Sequence, residues 1–314
     1  MNLRNFADTS FSPVKWFKIC GTISLILVCI GLFAFIGAAA GFKTFNFDIQ
    51  FVGGVSSEYN LHTEATTSVI SDIDSIVNDV TGSHASSIQA AGDDNQSILV
   101  KTLEIDSETR DSLLTAIQEK YPDTEFVSTE FISSSVGADL RAAAVKASLL
   151  AILLILVYIT IRFEFRSGLA AVLALTHDIC IMMAFFFIFR LPVNMNFIAA
   201  ALTILGYSIN ATIVIFDRIR ENSKGITDNK IFADIADRSI RQTMSRSINS
   251  SLTTVIPVIL ILVLGVPSIQ NFAVALIVGI VSGTYSSVML SGPIWVMLRK
   301  VGKKGAVQRA KKNA

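Results

Sequence analysis

Six stretches of this 314-residue chain are long and apolar enough to cross a bilayer, and they decide most of what it can fold into. The first, Ile19 to Ala40, carries no charge and is about 33 Å long as a helix, enough for a hydrocarbon core of about 30 Å. The others run over about 142–161, 168–189, 195–216, 247–265 and 269–298. With 52% hydrophobic and 16% charged residues, the composition excludes an ordinary soluble globule. Ala38-Ala39-Ala40 imitates a signal-cleavage site, but the run before it is longer than a typical signal core, so it reads as a retained span.

The basic residues set the orientation. Arg162 and Arg166 fall between the second and third stretches, and Arg190 alone between the third and fourth. Seven lie from Arg218 to Arg246, none separates the fifth stretch from the sixth, and seven follow Leu298. Such alternation places both termini of a multi-pass membrane chain in the cytoplasm. The expected plan is a cytoplasmic segment (1–18), a first span (19–40), an exported domain (41–139), a five-span bundle (140–298) with a cytoplasmic loop at 217–246, and a basic tail (299–314).

Residues 41–139 hold seventeen of the twenty-five acidic residues. Phe45 to Val55 alternates and is rich in aromatics, as a strand would be, and contains the pair Gly53-Gly54. Apolar residues at helical spacing mark a helix over Thr66 to Val80. Ser86–Ala91 and Ser97–Leu103 flank a turn at residues 92–96. A second helix starts with Ser107 as its N-cap and stops before Pro122, and Thr124–Ile132 closes as a strand. The order β-α-β-β-α-β is that of a small ferredoxin-like α+β domain. His62 and His84 read as isolated surface residues.

Inside the spans, polar residues are costly and so informative. Thr203, Gly206, Asn210 and Asp217 fall within roughly 60° on a helix turning about 100° per residue. Tyr207, Ala211 and Arg218 line a neighbouring face. Small and polar residues stacked this way suit a helix packing against partners in a bundle. Asp178 sits mid-span beside His177. Arg246 enters a half-span made polar by Ser247, Asn249, Ser250, Ser251, Thr253 and Thr254 ahead of Pro257, which suggests a water-accessible path. Asp178, Arg246, Asn210 and His177 are therefore the candidate functional residues within the spans. Gly279 and Gly283, with Ala275, Ser282 and Ser286, point to close helix packing. Ser208 and His177 superficially suggest a protease dyad, but Ser208 lies off the Thr203/Asn210 stripe and His177 has its Asp adjacent in sequence, so no enzyme is expected. Cys20, Cys29 and Cys180 lie in apolar runs without metal-ligand spacing, and no cofactor is expected.

GYSINATIVIFDRIREN at 206–222 resembles the SecD/SecF family of bacterial protein-export membrane proteins, on its SecF side, relatives of RND transporters. Ala174–Asp178, Arg246–Thr254 and Gly283–Ser287 agree with the same family. The resemblance implies pairing with a SecD half, association with the SecYEG channel, and use of the proton-motive force to draw unfolded exported polypeptide across. It implies contact with membrane lipid and none with nucleic acid. It also implies ion coupling for Asp178, Arg246, Asn210 and His177, and Arg246 matches the family arginine implicated in proton passage. Two positions depart from the pattern. Ala211 stands where the family commonly has Asp, and NFDIQF at 46–51 replaces NFGIDF. Coupling then rests on Asp178 or on a partner's carboxylates. A non-conducting scaffold for SecD and the channel is the alternative reading. An RND-type half-transporter of lipids or drugs is a third, less suited to so small an exported domain.

Overall fold

The computed structural model describes residues 11–299, apart from 93–94, 227 and 266. The segment 1–18 is thus described only from residue 11, and the basic tail beyond Arg299 lies outside the described residues, as do two residues of the turn at 92–96.

Six helices among the described residues are long and apolar enough to cross a membrane. They are α1 (Pro13–Ala39), α5 (Ser134–Arg162), α6 (Phe165–Ile188), α7 (Met195–Asn222), α8 (Asn229–Leu264) and α9 (Pro267–Ser286), the last continuing through a π-helical turn at Ser287–Ser291 to Arg299. Three of these starts have a side-chain cap. Ser12 caps α1 with its hydroxyl on the Lys15 amide, and Pro13 supplies a preset φ where no N–H is needed. Asn194 caps α7 through the Phe197 amide, and Asp228 caps α8 through Lys230 and Ile231. Residues 217–246 are themselves largely helical, because α7 runs on to Asn222 and α8 starts at Asn229.

The helices are unequally buried. Half of α6 is buried, including Ala170, Ala171, Ala174 and Asp178, whereas α5 exposes Leu149, Leu150, Leu153, Leu154 and Val157. So α6, α7 and α9 form the centre, and α1 and α5 carry much of the apolar outer surface. Gly31 lets α1 approach α6 so closely that a Cβ there would lie 2.2 Å from the Cys180 carbonyl oxygen.

Between α1 and α5 stands an α+β domain. The expected strand over Phe45–Val55 is instead three pieces: β1 (Asn46–Phe47), a four-residue helix α2 (Ile49–Val52) and β2 (Gly54–Asn60). Asp48 accepts the Gln50 amide and starts the helical turn, and Gly53 ends it at φ 84°, a conformation that favours glycine. Then follow α3 (Thr67–Thr81), β3 (Ser87–Ala91), β4 (Ser97–Thr102), α4 (Ser107–Lys120) and β5 (Glu125–Ile132). Asp106, rather than Ser107, is the N-cap of α4, accepting the Thr109 amide. The sheet is antiparallel in the order β3-β4-β2-β5, with β5 at an edge. Val69, Ile73 and Val77 of α3 and Leu113 and Ile117 of α4 bury against Tyr59, Ile98 and Val100. Burial also pushes the Tyr59 phenol above its usual pKa. The two histidines are exposed but not isolated: His84 Nδ1 is 2.8 Å from Asp74 and His62 Nε2 is 3.7 Å from Glu125.

A second small sheet ties the domain side to the spans. β1 pairs in parallel with β6 (Pro192–Val193), which lies between α6 and α7. Arg190 reinforces it by donating to the carbonyls of Lys43, at 3.3 Å, and Thr44, at 2.8 Å.

Candidate functional site

Two polar regions lie within the membrane helices, and the four candidate coupling residues divide between them. The first is closed. Asp178 on α6 is fully buried. Its Oδ2 accepts the hydroxyls of Ser208 on α7 at 2.6 Å and Ser286 on α9 at 2.9 Å. Its Oδ1 accepts Ser282 on α9 at 2.9 Å and lies 3.0 Å from His177 Nδ1. Three helices thus meet on one carboxylate, whose oxygens face four donors. That is how a charge is made tolerable where water is scarce. His177 is buried too; its Nε2 has no hydrogen-bond partner among the described residues, and its ring lies 5.9 Å from that of Tyr285. The Tyr285 hydroxyl reaches α1, at 3.0 Å from Ser24 Oγ and 3.0 Å from the Cys20 carbonyl.

The glycines of α9 make this meeting possible. A Cβ on Gly283 would sit 3.0 Å from Ser208 Cβ, and one on Gly279 would sit 2.4 Å from Ile204 Cγ1. The π-helical turn follows directly, after Ser286, and resets the phase of the helix. Ser287 in that turn lies 3.0 Å from Thr212 on α7.

The second region is open. Thr203, Gly206 and Asn210 face away from this chain's own helices, and a Cβ on Gly206 would meet nothing within 4 Å. The stripe that resembled a bundle-packing face is therefore left uncovered here, because α6 and α9 occupy the opposite side of α7, at Ala201, Ile204, Leu205 and Ser208. The second face meets α8: Tyr207 donates to Ser251 at 3.1 Å, and Arg218 Nε donates to Gln242 at 2.6 Å. Ala211 is half-buried between these contacts. On α8, Arg246 is exposed in a shallow groove with Gln242, Ser245, Asn249, Ser250 and Thr253. Asp217, near the end of α7, is half-exposed and 3.7 Å from Arg162.

So His177 and Asp178 are brought together, while Asn210 and Arg246 lie on outward faces. The serines around Asp178 carry little signal in sequence. Ser282 and Ser286 belonged to the small-residue stripe, and Ser208, weighed in sequence only as half of a superficial Ser/His dyad lying off the Thr203/Asn210 stripe, is on the buried side of α7 and donates to Asp178. Gly53 and Gly54 lie at the domain junction, where a Cβ would come within 2.7 Å of Ser134 and 2.2 Å of the Thr102 carbonyl, respectively. No cluster of three or more metal-ligating side chains occurs among the described residues.

Residues 112–301 match the family model described as protein export membrane protein SecD/SecF, C-terminal. The chain is 37% identical over 263 residues to the protein translocase subunit SecF of Sebaldella termitidis, covering 83% of this chain and 84% of that one. It is 44% identical over 194 residues to the protein translocase subunit SecDF of Bacillus subtilis, 61% of this chain and 26% of that one. The crystal structure of SecDF, a translocon-associated membrane protein from Thermus thermophilus, superimposes with a TM-score of 0.80 at 30% identity. That match covers 94% of this chain and 39% of the SecDF chain, so the present chain corresponds to less than half of that protein.

Proposed function

The chain belongs to the SecD/SecF family of protein-export membrane proteins, and we propose that it is the SecF-type half of an ion-driven unit assisting late translocation of preproteins. It is a multi-pass membrane protein related to accessory subunits of Sec protein translocation. The finer reading rests on the open polar face of α7 and α8. Asn210, Arg246, Asn249 and Thr253 would be expensive against lipid tails, so the face calls for a second protein half or a water-filled path between the two. A SecD-type half is the occupant, and the path between them carries the ion, with Arg246 as a fixed positive charge beside it. The closed Asp178 cluster holds α6, α7 and α9 in the arrangement that presents this face.

The rest of the assignment follows from that plan. We read the domain as ferredoxin-like, supported by its antiparallel sheet order, and place it outside the cell with both termini inside, where it works beside the SecYEG channel and emerging polypeptide. A second reading puts proton exchange on Asp178 itself, favoured by its being the only carboxylate deep within the spans. A scaffold without ion movement is the remaining reading, favoured by Ala211. Ion flux into vesicles containing this chain and a SecD-type half separates these. The proposal expects flux that needs both halves and is lost in Arg246→Met at normal protein level. Flux unaffected by Arg246→Met, or none at all while export is still supported, overturns it.

A further inference from the structure

The junction between the α+β domain and the spans carries an ion pair that the export reading does not use. The Asp48 carboxylate is nearly fully buried, and its Oδ2 lies 2.7 Å from Lys101 Nζ on β4. Its Oδ1 accepts the Gln50 amide at 3.2 Å, and its own amide donates to the Val193 carbonyl at 3.0 Å. Two residues on, Gln50 Oε1 accepts the Met195 amide, the first of α7, at 3.1 Å. α2 thus stands between β4 and α7 with one side-chain bond in each direction.

The short helix has little room to slip. A Cβ on Gly137 of α5 would lie 2.7 Å from the Phe51 carbonyl oxygen, and Phe51 itself is buried with Met182, Phe186 and Phe197. A buried ion pair is a poor source of net stability, since desolvation offsets much of the attraction, but removing one partner strands the other. What the pair adds is direction. The charge is committed to the strand and the neutral amide to the helix start. A carboxylate at position 50 would instead be drawn to the positive end of α7, leaving Lys101 unpaired.

We propose that Asp48, Gln50 and Lys101 make α2 a joint that transmits displacement between the start of α7 and the α+β domain. The joint works whether or not the chain conducts ions, so it stands apart from the export reading. Amide hydrogen exchange of the full chain in bilayer discs tests it. Lys101→Met, a change inside the domain, speeds exchange at Met195 and the first turn of α7 by about tenfold, while Ile73 and Val77 in α3 keep wild-type protection. Asp48→Asn does the same, and the double variant is no faster than either single one, because both remove one bond. Lys101→Arg keeps the wild-type pattern and so guards against simple misfolding. In Gln50→Leu, Lys101→Met no longer changes the α7 start. Unchanged exchange at Met195 in Lys101→Met overturns the joint, as does equal acceleration of α3, which would mean general loosening of the domain.

Discussion

The Asp178 cluster and the Arg246 face are both polar regions on the long apolar helices, yet they are finished in opposite ways. At Asp178 every carboxylate oxygen is met by donors from this chain, drawn from α6, α7 and α9. At Arg246 and Asn210 the chain leaves polar side chains uncovered. Satisfied polarity inside a membrane fastens helices; unsatisfied polarity implies something that arrives later. On the proposed function, the first region fastens the helices and the second is where a SecD-type half and the ion path would lie.

The sharpest way to break this contrast is to exchange the two kinds of defect. Asp178→Leu should prevent accumulation of the folded chain, because three serine hydroxyls and His177 Nδ1 lose their acceptor at about 1–3 kcal/mol each. Asp178→Asn should accumulate and still support export at a reduced level, since hydroxyl rotors can turn to meet an amide. An Asn variant present at normal level but dead for export would move proton exchange onto Asp178, and immunoblots beside an export assay decide it.

A gentler version compares glycines. Gly279→Ala places a Cβ against Ile204 and should lower stability by about 1–3 kcal/mol through overpacking, read from thermal unfolding in detergent. Gly206→Ala meets no neighbour, so the isolated chain should be unchanged or gain up to about 1 kcal/mol of helix preference. Its effect should appear only as weaker recovery of the SecD-type half in copurification. Equal losses of stability in the two variants would erase the distinction between inner and outer faces.

The smallest perturbation tests orientation without touching either region. A cysteine at Asn95 should react with an impermeant thiol reagent from outside intact cells, and one at Asn229 should not. The reverse pattern would turn the whole plan over.

The sequence makes some of this plain and hides the rest for physical reasons. Six spans are legible because twenty apolar residues in a row have few alternatives, and the two glycines of α9 because small residues at that spacing serve close packing. α2 is hidden because FNFDIQF alternates as a strand would, and only the Asp48 cap and the φ of Gly53 turn it into a helix. The partners of Asp178 are hidden because they come from positions 208, 282 and 286, and a lone serine in an apolar run looks the same whether or not it meets a charge. The α7 stripe reads in sequence as a packing face, but its spacing does not encode that this chain's own helices leave Thr203, Gly206 and Asn210 exposed.

Photo-cross-linking from within the membrane tests most directly what meets this face. A photoreactive residue at Asn210 or Asn249, in cells that also make a SecD-type half, should give an adduct with that half. The same residue at Leu153, on the apolar outer side of α5, should give none. If positions 210 and 249 behave like 153, the open face meets lipid, and the division between a fastened region and an assembling one is wrong.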